Sequence, residues 1–337
     1  MAPSMGTRHQ LQPSMKSLQR TPSGKVNHLS PTICLVLLWC TCSFGDPIPA
    51  TEGISKDTLE GIVMPGAALA KLAGGMQFVE GPVWLNGALV FSDIPANTLW
   101  KWSASDGLTV FRKPSGHANG NTLDRAGRLI TCEHSNRRVS ILEADGTVRT
   151  LVERSNGRRF NSPNDVVVKS DGSVWFTDPS YGLPSPESRE QALNQVYRLD
   201  PRTGNVAIVA SDFDMPNGLC FSPNEDLLYV SDSGSPRHVR VFTVNPDGTL
   251  AGGRVFCRIE VGVPDGIRCD ASGRLYVSAA DGVHVFSPSG AETGRIFVPE
   301  TTANLCFGGP DGRTLFITAS TSLYSIKLRT AGAGWGR

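Results

Sequence analysis

The chain has 337 residues, 39% hydrophobic and 19% charged, enough to bury a sizeable core, which excludes disorder as its main character. Thirty-six Gly and 23 Pro without a Gly-X-Y period exclude collagen and read as dense turn punctuation between short strands. The balance of 32 basic to 31 acidic residues gives no sign of a basic stripe for nucleic acid, so the expected partner is a small molecule.

In chain order, residues 1–45 come first, with Arg8, Lys16, Arg20 and Lys25, no acid, an apolar run from Ile33 to Cys40, and small residues up to Gly45. This is the layout of a secretory signal, and the run is too short for a membrane span. Export to the periplasm or medium is the expectation; an uncleaved or mis-assigned start would leave the protein in the cytoplasm. Without the segment, 28 basic and 31 acidic groups remain, a net charge of −3. A linker is expected over 46–66, a repeat domain over 67–329 and a tail over 330–337.

Five cysteines follow the leader, Cys132, Cys220, Cys257, Cys269 and Cys306, in no disulfide or metal spacing. Cys220 and Cys306 sit in apolar runs and read as buried hydrophobes.

The repeat domain contains one phrase six times: a Gly-containing turn, an apolar strand, an Asp/Gly hairpin and a second apolar strand. The copies begin at Glu80, Asn119, Asn164, Asn217, Asp265 and Ala303, at steps of 39, 45, 53, 48 and 38 residues. A third strand and usually an outer fourth follow each, so each unit is a four-stranded meander. Six such units predict an all-β, six-bladed β-propeller. The last unit stops after its third strand (Ser322 to Leu328), and ALAKLA (Ala68 to Ala73) precedes the first, so the N-terminal strand is expected to close the last blade. The polar stretch Ser185 to Gln195 is the one helix-like segment.

Residues at one repeat phase of a propeller point at a common axis. Five of the six phrase-initial residues carry side-chain oxygens, and two acids converging there need neutralising. A hard-oxygen set of this kind suits Ca²⁺, Mg²⁺ or Mn²⁺ better than Zn²⁺. Taken singly, Asn or Asp before Gly is an ordinary turn former.

The motifs VEGPVW (Val79 to Trp84), SPNDVV (Ser162 to Val167), PNGLCFS (Pro216 to Ser222) and VPDGIRCD (Val263 to Asp270) resemble the senescence marker protein, gluconolactonase and luciferin-regenerating enzyme-like family, which includes regucalcin. GHANGNTLD (Gly116 to Asp124), TCEHSNRRV (Thr131 to Val139), FTDPSYG (Phe176 to Gly182) and TLFITASTSLY (Thr314 to Tyr324) resemble its bacterial gluconolactonase branch. The resemblance implies a divalent cation, Ca²⁺ first with Mg²⁺, Mn²⁺ or Zn²⁺ as alternatives, held by Glu80, Asn164, Asn217 and Asp265. It also implies Asp265 as general base in sugar-lactone hydrolysis, of D-glucono-1,5-lactone or a related aldonolactone. His117, Asn119, Glu133, His134, Asp178 and Tyr181 are candidate substrate contacts. Regucalcin-type members carry an Arg two residues before the second ligand, where this chain has Ser162, which leaves the sugar preference open. The alternatives are hydrolysis of another lactone, ester or phosphotriester by the same ion, and a non-catalytic binding propeller with a structural metal. There is no GxSxG elbow, P-loop or dinucleotide fingerprint.

Overall fold

The computed structural model describes residues 59–335. The expected leader, most of the linker and the last two tail residues lie outside them. Six four-stranded antiparallel sheets, each a meander numbered outward from the axis, make a six-bladed β-propeller. Blade 1 runs Val79–Leu85, Ala88–Asp93, Thr98–Ser103 and Gly107–Arg112. Blade 6 consists of Thr302–Gly308, Thr314–Ala319, Ser322–Lys327 and, outermost, the N-terminal strand Ala70–Gly74. That strand pairs Ala70 with Ser325 and Gly74 with Ser322, so the ring closes through hydrogen bonds between its two ends. Among the described residues no helix is long and apolar enough to cross a membrane.

Alternating apolar residues pack each blade against the next, in clusters such as Val283, Ile296, Leu305 and Ile317 between blades 5 and 6. Aromatic pairs cross the seams: Trp84 stacks on Phe316 with centroids 5.2 Å apart, and Trp175 meets Phe221 edge-on at 5.5 Å. At about 1.5–3 kcal/mol for each large apolar side chain buried, these seams are the main source of stability. The five described cysteines are all buried and unpaired.

Two expectations need correction. The N-terminal strand begins two residues later than ALAKLA and extends to Gly74. The helix-like stretch reduces to one 3-10 turn, Pro186–Ser188, with no side-chain cap, in a connection between the second and third strands of blade 3. Its polar residues serve as anchors instead: Gln191 Nε2 donates to Ser155 O and Arg158 O, and Asn194 Nδ2 to Asp214 O.

Candidate functional site

Each inner strand leaves its ladder where the phrase begins. Pairing to the second strand jumps from Glu80 to Val83, from Ala118 to Asn121, from Pro216 to Leu219 and from Thr302 to Asn304. In blades 3 and 5 the ladder starts only at Val166 and Ile267, two residues past Asn164 and Asp265. Such breaks free a strand's first side chains from the pleat and re-aim them. The sequence reading of these Gly residues as turn formers changes accordingly. A Cβ on Gly120 would lie 2.5 Å from Asn164 O, and one on Gly218 2.4 Å from Asp265 O. Neither has a positive φ. These glycines let adjacent blades approach at the axis.

The phase residues meet there. Asn119 Nδ2 donates to Asn164 Oδ1 at 2.7 Å, Asn164 Nδ2 to Asn217 Oδ1 at 2.6 Å, and Asn217 Nδ2 to Ser233 Oγ at 3.0 Å. This amide chain crosses blades 2, 3 and 4. Glu80, buried, accepts from Gly81 N at 2.9 Å and Asn304 Nδ2 at 3.0 Å. Burial pushes its carboxyl up to about 7 against those two hydrogen bonds. Asp265 closes the ring: its Oδ1 is sealed from solvent without a partner. Burial, then the charges of Glu80 and Asp165, hold its carboxyl well above the usual range. Asn119 Oδ1 is likewise buried and unpartnered.

Around this ring the other candidates divide. His134 is buried with Nε2 3.3 Å from Asn119 Nδ2, and burial pushes its imidazole down to about 4, so it is neutral near pH 7. Tyr181 is 45% accessible as a residue, yet its hydroxyl lies near Asn217, Ser233 and Asp265, and burial holds the phenol protonated. His117, partly buried, bonds Ser135 Oγ through Nδ1 at 2.7 Å and borders a cavity of 390 Å³ between blades 1 and 2.

The structure does not bring Glu133 and Asp178 into this ring. Glu133 is consumed by Arg112, Arg138, Ser140 and Asn136 at 3.3, 2.7, 2.6 and 2.5 Å. Asp178 sits at the end of its blade's second strand and accepts Asn161 N at 2.8 Å, holding the loop that enters the inner strand. Asp93 and Asp232 do the same in blades 1 and 4.

Three axial residues were missed. After the phase position the repeats read Gly, Gly, Asp, Gly, Gly, Asn, and the two departures, Asp165 and Asn304, put side chains into the channel. Asn304 holds Glu80, and Asp165 pairs with Arg268 at 3.1 Å. The signal for Arg268 was a charge inside an apolar inner strand. Ser162, standing where regucalcin-type members carry Arg, donates to Pro179 O at 2.7 Å and accepts Gly182 N at 2.9 Å, anchoring the loop that bears Tyr181.

Among the described residues no group of three or more His, Cys, Asp or Glu gathers as a metal cluster. The donor chemistry of the ring still fits a hard divalent cation: two carboxylates and neutral amides, all oxygen, with Asp265 Oδ1 buried and unpartnered.

Residues 78–321 match the SMP-30/Gluconolactonase/LRE-like region. The chain is 33% identical to a gluconolactonase of Zymomonas mobilis, over 81% of this chain and 85% of that one. A solved gluconolactonase from Xanthomonas campestris is 36% identical with a TM-score of 0.76, covering 82% of this chain and 93% of that chain. A calcium-binding regucalcin from Agrobacterium tumefaciens shares the fold at 20% identity and a TM-score of 0.68, over 79% and 95%.

Proposed function

The chain belongs to the SMP-30/gluconolactonase/LRE-like family, and from that membership and the axial ring we propose that it hydrolyses a sugar lactone of the D-glucono-1,5-lactone type to the aldonic acid. The observation that carries this reading is the unsatisfied Asp265 Oδ1, facing an axial ring whose other oxygens are mostly hydrogen-bonded. A buried acceptor left without a partner is costly and points to a group that completes it.

Glu80, Asn164, Asn217 and Asp265 would hold a divalent cation, Ca²⁺ first. When bound, the cation supplies Lewis-acid polarisation of the lactone carbonyl. Asp265 takes a proton from the attacking water as a new C–O bond forms at the carbonyl carbon, and returns it to the ring oxygen as the ester C–O bond breaks. Neutral His134 lies against Asn119 at the head of the amide chain. The protonated Tyr181 hydroxyl offers a hydrogen bond to the substrate's hydroxyls at the mouth. Water plus lactone thus becomes one acid, with no other co-reactant.

The test is acid release from D-glucono-1,5-lactone followed with a pH indicator, corrected for spontaneous opening. Chelated protein, protein with each divalent ion, and Asp265→Asn run side by side. Ion-dependent turnover lost in Asp265→Asn is the expected result. Turnover in chelated protein and in Asp265→Asn equal to that of the ion-loaded parent would sink the assignment of Asp265 and of the ion together.

A further inference from the structure

Away from the axial ring, the residues around His117 line a polar cavity that the proposed reaction does not use. Its walls come from the outer parts of two blades: Arg112 ends the outermost strand of blade 1, Arg138 begins the third strand of blade 2, and Val148 begins that blade's outermost strand. The loop between the blades is bent around it. Asn97 Oδ1 accepts Ser115 N and His117 N, each at 2.9 Å, and holds Gly116 and His117 in consecutive left-handed conformations, with φ of 78° and 51°. A histidine takes that backbone rarely, and strain of this kind collects at sites of function. A Cβ on Gly116 would lie 2.8 Å from Glu133 Oε2, so the loop lies directly on this carboxylate.

The charges in the cavity do not balance. Two guanidiniums, Arg112 and Arg138, 15% and 23% exposed, flank one carboxylate, Glu133, that is 1% exposed. Arg112 Nη2, Arg138 Nε, Ser140 Oγ and Asn136 Nδ2 all donate to Glu133, which offsets one cation and leaves the other. Burial works most strongly against the Arg112 guanidinium; Glu133 supports it and Arg138 opposes it. Donors are also left over. Among the described residues Arg112 Nη1, Arg138 Nη2 and His117 Nε2 have no hydrogen-bond partner, and none of the three is sealed from solvent. An uncompensated guanidinium with unused N–H groups is a receptor for an oxyanion. The volume of 390 Å³ is that of a small-molecule site rather than of one inorganic ion, and Ser115, Ser135 and Asn136 line it with groups that bond hydroxyls.

We propose that this cavity binds a small polyhydroxy carboxylate, the aldonate that the reaction releases, with Arg112 and Arg138 on its carboxylate and the serine and asparagine side chains on its hydroxyls. The lactone is neutral and the aldonate carries one negative charge, so the site separates product from substrate. The carboxylate chemistry stands on the cavity itself; naming the aldonate as product rests on the lactonase reading above.

The test is calorimetry on the full chain, stripped of metal and dialysed free of chelator so that the axial ring takes no part. The probes are D-gluconate, the neutral polyol D-glucitol and inorganic phosphate. Gluconate should bind, more weakly as salt rises, with glucitol at least about tenfold weaker. Arg112→Gln and Arg138→Gln each cancel the net charge and should weaken gluconate by about tenfold, whereas Glu133→Gln raises it and should tighten gluconate by about tenfold. Melting curves establish that each variant folds; either arginine variant leaves Glu133 three of its four donors. An ion-pair network that only supports the fold gives another pattern, folded variants that bind gluconate like the parent, and that result overturns the inference. So does glucitol binding as tightly as gluconate, or phosphate binding as tightly, which would make the cavity an inorganic-anion site. Should Glu133→Gln fail to fold, the two arginine variants decide. Gluconate binding that is lost in the arginine variants of a protein without lactone turnover would uphold the carboxylate site while removing the lactonase reading, so the two failures stay separate.

Discussion

Two rings of buried acidic side chains run through this propeller, one residue type doing two jobs. At the ends of second strands, Asp93 accepts Gln77 N and Phe78 N, both at 3.1 Å, and Asp232 accepts Asp214 N, Met215 N and Gly234 N at 2.9, 2.8 and 3.0 Å. At the starts of inner strands, Glu80 and Asp265 face the axis with their charges set against each other, and Asp265 Oδ1 has no donor at all. Burial alone does not separate a structural carboxylate from a functional one; saturation does. A carboxylate satisfied by backbone N–H groups is a fastener. One held near its own kind with an oxygen left without a donor is stable only while protonated or while something positive is near.

The contrast predicts opposite phenotypes. Glu80→Gln should lower lactone turnover about a thousandfold, about 4 kcal/mol of transition-state stabilisation, while the chelated protein melts at the same temperature or higher, because a poorly solvated carboxyl has been removed. A comparable fall in chelated stability would make Glu80 a fastener after all. Asp232→Ala strands three N–H groups of the blade-4 entry loop and should cost about 3 kcal/mol in denaturant unfolding. Its turnover per folded molecule should stay close to that of the parent. Loss of turnover at full stability would merge the two rings and break the comparison.

The repeat made the inner ring legible. Glu80, Asn164, Asn217 and Asp265 share a phase, and phase fixes direction in a radially repeated sheet. Six meanders and the closing N-terminal strand were legible for the same reason, since hydrophobic alternation and turn spacing are local. What the repeat could not show is whether an acid at a different phase is satisfied, because its donors come from chain segments at other distances. Glu133 takes donors from Arg112, 21 residues before it, and from Ser140, seven after; Asp178 takes one from Asn161, 17 before. Both therefore looked like loop residues available to substrate. Asp165 escaped because its partner, Arg268, lies 103 residues away across the channel.

Asp178 falls between the rings and sharpens the comparison by pH. It accepts Asn161 N at 2.8 Å, its Oδ1 is unpartnered, and burial pushes its carboxyl up to about 7 from an ordinary value near 3.8. Below about pH 4 the group is protonated in both folded and unfolded chains. As pH rises from about 4 to about 7 the unfolded chain ionises first, so the folded state loses stability, and the loss is complete above the folded value. Asp178→Asn cannot ionise. Measured by urea unfolding of chelated protein, it should match the parent at pH 4 and exceed it by about 4 kcal/mol at pH 8. Equal stability at both would mean that Asp178 is ionised and saturated in the folded protein, a full member of the fastening ring.

The smallest effect tests how the two rings are joined. Ser231 precedes Asp232 on the same strand, and successive side chains of a strand point to opposite faces. Asp232 thus holds the entry loop, while Ser231 Oγ reaches Asp265 O at 2.7 Å and Gly218 O at 3.1 Å, clasping blade 4 to blade 5 under the ring. Ser92, Thr177 and Ser278 donate to the carbonyls of Asn119, Asn217 and Ala303 in the same way. In blade 2 the hydroxyl's place is taken by Cys132, and that seam is closed by Gly120 N to Asn164 O at 2.7 Å. Ser231→Ala removes one neutral hydrogen bond and should cost about 1 kcal/mol of stability. Because the lost bond fixes the backbone of Asp265, lactone turnover should also fall by several-fold, with Ca²⁺ affinity falling in step. Asp232→Ala, one residue along and three times as costly to the fold by the argument above, should leave both untouched. If Ser231→Ala loses stability but no turnover, the clasp serves the blades alone, and the position of Asp265 is set entirely by the break in its own strand.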